Sequence, residues 1–326
     1  MNKSMKKNIE HFFLLTAFAT ATIHLANRFI NITAEMKNIL KTESGNFYNW
    51  KNGRIYYTKR GTGSPVLLIH ELSPSSSSYE WSRFSRKLEK THTVYALDLL
   101  GCGRSDKPNL TYTNYLYVQL ITDFTKNIIC EKTDVITTGN SISFTALANH
   151  MNHDLFNKMI AINPSMPVSF NKKSGKYGTW KKTMLELPVV GTFIYNLKVQ
   201  KKMIQKKFLE DYFARPQLIS SEMTDAYYES AHLKHSHGKY LLASLENGYV
   251  DNSISHILKD LNNPLYLIVC KKTENSLAVR NAYTKLNHSI ETIYLANARL
   301  LPQLEEPDKL YESISTLLQK NKAAVV

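Results

Sequence analysis

Cysteine is scarce in this chain of 326 residues: Cys102, Cys130 and Cys270 are the only three, widely separated and without C-x-x-C spacing. That excludes a disulfide framework and a cysteine-ligated zinc site, and leaves free thiols of the kind that fill cores. Acidic residues are short too, 27 against 41 Lys and Arg, for a net charge of +14. The shortage is local, because the stretch 171–207 holds ten lysines and a single acidic residue, Glu186. No nucleic-acid-binding motif accompanies this charge, so a nucleic-acid partner is not expected. A solvated lysine face and attraction to an anionic membrane surface are the readings that remain. Internal repeats are absent, and so is an uninterrupted apolar run long enough to span a bilayer.

What is present begins with a basic flank, Lys3, Lys6 and Lys7, followed by the uncharged run Phe12 to Ile23. Leu25, Phe29, Ile30 and Ile32 extend the run, while His24, Asn27 and Arg28 interrupt it. Residues 1–45 therefore read as an N-terminal hydrophobic helix with three open fates. It is membrane-associated, a signal removed after a small-residue pair such as Ala17 and Ala19 with secretion of the rest, or packed on the protein itself.

The chain as a whole is 43% hydrophobic and 21% charged, an ordinary globular mixture, and the remainder, 46–326, reads as one domain. Short apolar segments predict strands at Asn46–Trp50, Arg54–Lys59, Val66–Ile69, Thr93–Leu97, Val135–Thr138, Lys158–Ile162, Leu265–Cys270 and Glu291–Leu295. Helices are predicted between them, at Glu80–Glu89, Asn114–Ile129, Ile254–Lys259, Ser276–Leu286 and Pro307–Lys320. Alternation of this kind implies an α/β protein with a largely parallel sheet covered on both faces. The alternation stops at 165–250, a helical, lysine-rich and tyrosine-bearing insertion punctuated by Pro167, Pro188 and Pro216. An insertion of that size between strands reads as a lid.

The turn after Val135–Thr138 carries Gly139-Asn140-Ser141-Ile142-Ser143, a serine flanked by small residues between strand and helix. Such a turn predicts a strained backbone at Ser141 with its hydroxyl exposed, the geometry of a nucleophile elbow. Three further segments stand in order with it: Pro65 to His70, the loop Asp98-Leu99-Leu100-Gly101-Cys102-Gly103-Arg104-Ser105-Asp106-Lys107-Pro108, and Leu301 to Pro307. On these four segments the chain resembles the α/β-hydrolase superfamily, in its epoxide hydrolase, haloalkane dehalogenase and ester hydrolase branch. The resemblance implies an α/β-hydrolase fold with an inserted helical lid, Ser141 as nucleophile and the Ile142 N–H as one oxyanion donor. The second donor would come from His70, Glu71 and Leu72, which also form the ligand-binding loop, with a small hydrophobic or ester-like compound as ligand. It implies no cofactor and no metal.

The resemblance breaks at the remaining triad positions. Aligning Pro302 with the proline of the family's G-H-x-P segment places Leu300 where the histidine stands, and leucine accepts no proton. Thr273 falls where the acid is expected, with Glu274 one residue off register, and Asn163 holds the alternative acid position. Without a base a serine hydroxyl is a poor nucleophile. The expectation is a degenerate triad in a weakly active or non-catalytic protein. Two alternatives stand beside it: an active serine hydrolase drawing its base from the lid cluster His232, His235 and His237 or a carboxylate from Glu71, and a membrane-surface or protein-binding module.

Overall fold

The computed structural model describes residues 3–42, 45–168 and 176–319. Lys172 and Lys173 of the lysine-rich stretch, and the expected helix end at Lys320, lie outside the described residues. Eight strands form one sheet: β1 Asn46–Trp50, β2 Gly53–Arg60, β3 Pro65–Ile69, β4 Thr93–Leu97, β5 Thr133–Thr138, β6 Phe156–Ile162, β7 Leu265–Cys270 and β8 Glu291–Leu295. Their order is β1-β2-β4-β3-β5-β6-β7-β8. β1 and β2 make an antiparallel hairpin, β2 is antiparallel to β4, and every later pairing is parallel. The central strands β3 and β5 are buried along their whole length, as parallel strands with both faces covered must be.

The period of two sorts β3 between two cores. Leu67 and Ile69 face one side with Val135, Leu267 and Phe144, under α3 Asn114–Phe124 and α4 Ile142–Met151. Val66 and Leu68 face the other with Ile136, Ile268, Trp81, Phe84, Leu310 and Ile314. Trp81 and Phe84 are fully buried, each worth roughly 1.5–3 kcal/mol in apolar area removed from water. They sit on short pieces: the helix expected over 80–89 is a 3₁₀ turn Ser78–Trp81 followed by α2 Ser85–Leu88. Ser77 accepts the Tyr79 N–H and starts the first turn, and Glu80 is held inward by partners of its own. The helix expected over 114–129 is α-helical to Phe124 and ends in a π turn, Thr125–Ile129, before Cys130 enters the left-handed region.

The insertion carries α5 Lys176–Glu186, α6 Val190–Lys198, α7 Lys201–Lys207, α8 Ser221–His232 and α9 Gly238–Glu246. The chain then returns through α10 Ser255–Lys259, α11 Ser276–Leu286, α12 Pro302–Glu305 and α13 Pro307–Gln319. Arg299 and Glu305 tie the insertion to the sheet edge. The Arg299 guanidinium donates to the Glu210 carbonyl at 2.5 Å, and the Glu305 carboxylate accepts the Ala214 and Arg215 N–H groups at 3.0 and 2.9 Å.

At the N-terminus α1 Lys3–Glu35 is one helix of 33 residues. Its C-terminal half packs on α6 and α8. Asn27 donates to the Val189 carbonyl and accepts from Asn196, both at 3.0 Å, and Lys37 just beyond the helix pairs with Asp225. Its N-terminal half touches little. Phe12 is 65% and Phe18 74% exposed, with Phe13, Leu14 and Leu15 similarly bare.

Candidate functional site

The site grows from the C-terminal edge of β3, β4 and β5. Asp98, directly after β4, is fully buried and accepts from the Ser78 N–H, the Arg104 N–H and the Arg104 guanidinium at 2.7–2.8 Å. Burial alone would raise its carboxyl; the Arg104 charge and hydrogen bonds outweigh burial and hold it down to about 2. Gly103, at φ +47, passes so close to this carboxylate that a Cβ would collide with it. The glycine-bearing loop is therefore a buried anchor for the edge of the sheet.

His70 follows β3 and is fully buried. Its Nε2 accepts the Leu99 N–H at 3.0 Å, which assigns the ring proton to Nδ1, donating to the Glu71 carbonyl at 2.7 Å. Burial lowers its pKa and keeps it neutral. Both nitrogens are used, so His70 shapes the loop and has no ring nitrogen left for a ligand. The two amides next in line are likewise occupied. The Glu71 N–H points to Glu80 Oε2 at 3.4 Å, and the Leu72 N–H donates to Asn140 Oδ1 at 3.0 Å. Asn140 Nδ2 returns the bond to the Leu72 carbonyl at 3.3 Å, so one side-chain amide satisfies a backbone pair.

The turn after β5 differs from the expectation of a strained, exposed serine. Ser141 has right-handed dihedrals, φ −66° and ψ −19°, and is completely buried; its hydroxyl donates to the His70 carbonyl at 2.7 Å. Ile142 is buried as well, with its N–H turned toward the Asn140 carbonyl. The residue that leaves the strand in the left-handed region is Gly139, at φ +57. Thr137, Gly139 and Ser141 thus take the small, turning and small places of the strand-to-helix reversal, two residues earlier than Gly139, Ser141 and Ser143. A Cβ on Gly139 would meet Glu71 Cγ and Oε1 at 3.1 Å. The Glu71 side chain occupies the space into which a turn residue here would project.

Gly139 and Glu71 line a cavity of about 210 Å³ with Leu300, Thr273, Glu274 and Asn163. Of the residues singled out in the sequence, Glu71, Glu274 and Leu300 come together there, whereas His70, Leu72, Ser141 and Ile142 do not line it. Glu71 is raised above the ordinary carboxylate range, first by burial and against the nearby Lys207 charge. Glu274 is exposed at the rim. Asn163, at φ +42, is a clip: Nδ2 donates to the Arg299 and Leu300 carbonyls at 3.0 and 3.2 Å, and Oδ1 accepts the Cys270 N–H at 2.9 Å.

Beneath the cavity floor Glu80, buried, accepts from the Thr138 hydroxyl at 2.5 Å and from Gln303 at 2.7 Å. Burial pushes its carboxyl up to about 8, the hydrogen bonds opposing and the Glu71 charge adding. Sequence reasoning took Gly139 as the flanking residue of the turn and not the turning one, and gave no role to Asn140, Glu80 or Gln303. For Gly139 a signal existed, since Thr137-x-Gly139-x-Ser141 fits the small-residue spacing as well as the frame two residues later.

None of the insertion histidines lines this cavity. His232 is buried with Nδ1 donating to the Tyr228 carbonyl at 2.8 Å, and burial lowers it to about 4. His235 and His237 face a different groove, beside α1.

A family model described as "Alpha/beta hydrolase family" matches residues 66–313; the chain belongs to the α/β-hydrolase family. Among curated relatives, a haloalkane dehalogenase of Agrobacterium fabrum is 35% identical over 60 residues, 18% of this chain and 19% of that protein. The chain therefore matches only about a fifth of that relative's length. Among solved structures, a membrane phospholipase A described as a bacterial virulence factor aligns over 98% of this chain and 100% of its own, with TM-score 0.67 and 17% identity. A serine hydrolase involved in carbazole degradation aligns over 85% and 99%, with TM-score 0.69 and 15% identity. At such identities the structural likeness concerns the fold.

Proposed function

We propose that this is a membrane-anchored member of the α/β-hydrolase family that binds a small, mainly apolar or ester-like ligand and has lost serine-hydrolase chemistry. The observation that carries the reading is the turn after β5, where glycine stands at the left-handed position and lines the cavity while the Ser141 hydroxyl is spent on the His70 carbonyl. Acyl transfer needs a nucleophile beside a base and two free donors for the oxyanion. Here Leu300 faces the cavity where a base would stand, and the Leu72 amide is committed to Asn140. A ligand would rest on Val269, Val279 and Leu300 and donate a hydrogen bond to Glu71. An active hydrolase using an insertion histidine is the rival reading, but none of its three candidates lines the cavity.

Membrane anchoring rests on α1, whose Met5–Glu35 segment is long and apolar enough to cross a bilayer, as an anchor or a signal helix would be. The carboxyl half of α1 is hydrogen-bonded to α6 and packs on α8, which favours a retained helix over one removed. The decisive experiment is labelling of the full chain with a fluorophosphonate probe, with hydrolysis of short aryl esters measured in parallel and Ser141→Ala as control. The expected result is no labelling and no turnover by folded protein. Labelling that disappears in Ser141→Ala would overturn the reading.

A further inference from the structure

We propose that the groove between α1 and the turn 233–237 is a phosphate-binding site whose occupant is the head group of an anionic phospholipid. The proposal rests on the reading of α1 as a membrane helix. The groove encloses about 700 Å³, room for a head group and the first carbons of its chains. His24, Arg28 and Glu35 face it from α1, and His235, His237 and Lys239 from the opposite wall. Glu35 is the one carboxylate, and it already pairs with Lys41 at 3.3 Å. Arg28, His24 and His235 make no hydrogen bond or ion pair among the described residues. Lys239 is buried, its ammonium held by the Leu187 carbonyl at 2.8 Å and the Thr192 hydroxyl at 3.0 Å rather than by a carboxylate. Arg28 and Lys239 are the cations of the groove, and the imidazoles of His24, His235 and His237 add ring N–H donors from which an anion can accept.

Two further observations point the same way. Lys234, His235 and Ser236 are consecutive left-handed residues, at φ 60°, 57° and 59°, a run that non-glycine residues avoid. The Ser236 hydroxyl fixes the turn against α1, 2.5 Å from Asn31 Oδ1 and 2.8 Å from Asn196 Oδ1. Strain maintained in this way turns His235 and His237 into the groove. The second observation is position. The groove starts at His24, immediately after the uncharged run Phe12 to Ile23, so insertion of that run would bring the groove to the level of lipid phosphates. Ile32 and Met36 supply apolar lining for the glycerol and upper chains. A metal is the less apt occupant, since among the described residues no three His, Cys, Asp or Glu side chains converge closely enough to hold one.

The test uses the full chain in detergent, titrated separately with short-chain phosphatidylglycerol, short-chain phosphatidylcholine and inorganic phosphate, with flotation on phosphatidylcholine vesicles measured beside it. Phosphatidylglycerol should bind with one-to-one stoichiometry and more tightly than the other two. Arg28→Gln should weaken it about fivefold, Arg28→Lys should restore most of the loss, and Lys202→Gln, outside the groove, should change nothing. Equal binding of the two lipids, or an Arg28→Gln variant that keeps its melting temperature and binds as the parent does, would overturn the site. Inorganic phosphate binding as tightly as phosphatidylglycerol would overturn the lipid as occupant. Absence of flotation would instead remove the membrane reading on which the proposal stands.

Discussion

The cavity at the sheet edge and the groove beside α1 are opposites in how their polar groups are used. Around the cavity many donors and acceptors have a partner from the protein itself: Asn140 with Leu72, Ser141 with His70, Asn163 with three backbone groups, Glu80 with Thr138 and Gln303. Beside α1, Arg28, His24 and His235 face open space. Catalytic sites keep donors and nucleophiles unsatisfied in the free protein so that the transition state can use them. The donors of the turn after β5 are engaged within the protein, whereas Arg28, His24 and His235 are open to solvent where the chain meets its N-terminal helix.

The largest test of the contrast is Arg104→Ala, which leaves the Asp98 carboxylate buried without its cation and should cost about 3–5 kcal/mol of stability, read by denaturant unfolding. A loss below 1 kcal/mol would show that the loop is not the anchor described. Next is Phe18→Asp in the bare half of α1. A carboxylate there should disfavour bilayer insertion by roughly 3 kcal/mol and shift the protein toward the soluble fraction in flotation, whereas the cavity side of the molecule keeps its melting temperature. Unchanged flotation would argue that α1 does not insert.

Acid gives a smaller effect with a defined sign. The Asp98 carboxyl lies below its unfolded value, so it contributes stability that is fully present above about pH 4 and is lost as pH falls toward 2. The loss should be on the order of 2 kcal/mol, and Arg104→Ala should abolish it. Smallest is Ser141→Ala, which removes one buried hydrogen bond and should cost about 1 kcal/mol by thermal melting, with esterase activity and probe labelling unchanged from background.

The strands were legible because their physics is local. β3 and β7 are runs of apolar residues of strand length, and such runs have few alternatives once both faces must be covered. The helix expected over 80–89 was not legible as two short turns. Glu80 leaves the apolar pattern to be buried against Thr138 and Gln303, residues more than fifty positions away. Leu300 and Thr273 stood out by sequence because a residue type incapable of proton transfer is visible without coordinates. The turn after β5 was read two residues late, because both frames present a small residue on either side of the turning one.

By itself, then, the order of residues determined the alternation of strands and helices, the family, the basic insertion and the leucine at position 300, since each follows from side-chain type and short-range spacing. Tertiary structure decided which residue turns after β5. The register of β5 against β3 and β6 ends the strand at Thr138 and forces the reversal at Gly139, and only the folded sheet supplies those neighbours. It also decided that Glu71 fills the space beside that glycine, and that residues of α1 and the stretch 235–239, some two hundred positions apart, share one groove. Distances across the chain are set by packing, and packing is where local pattern ceases to carry information.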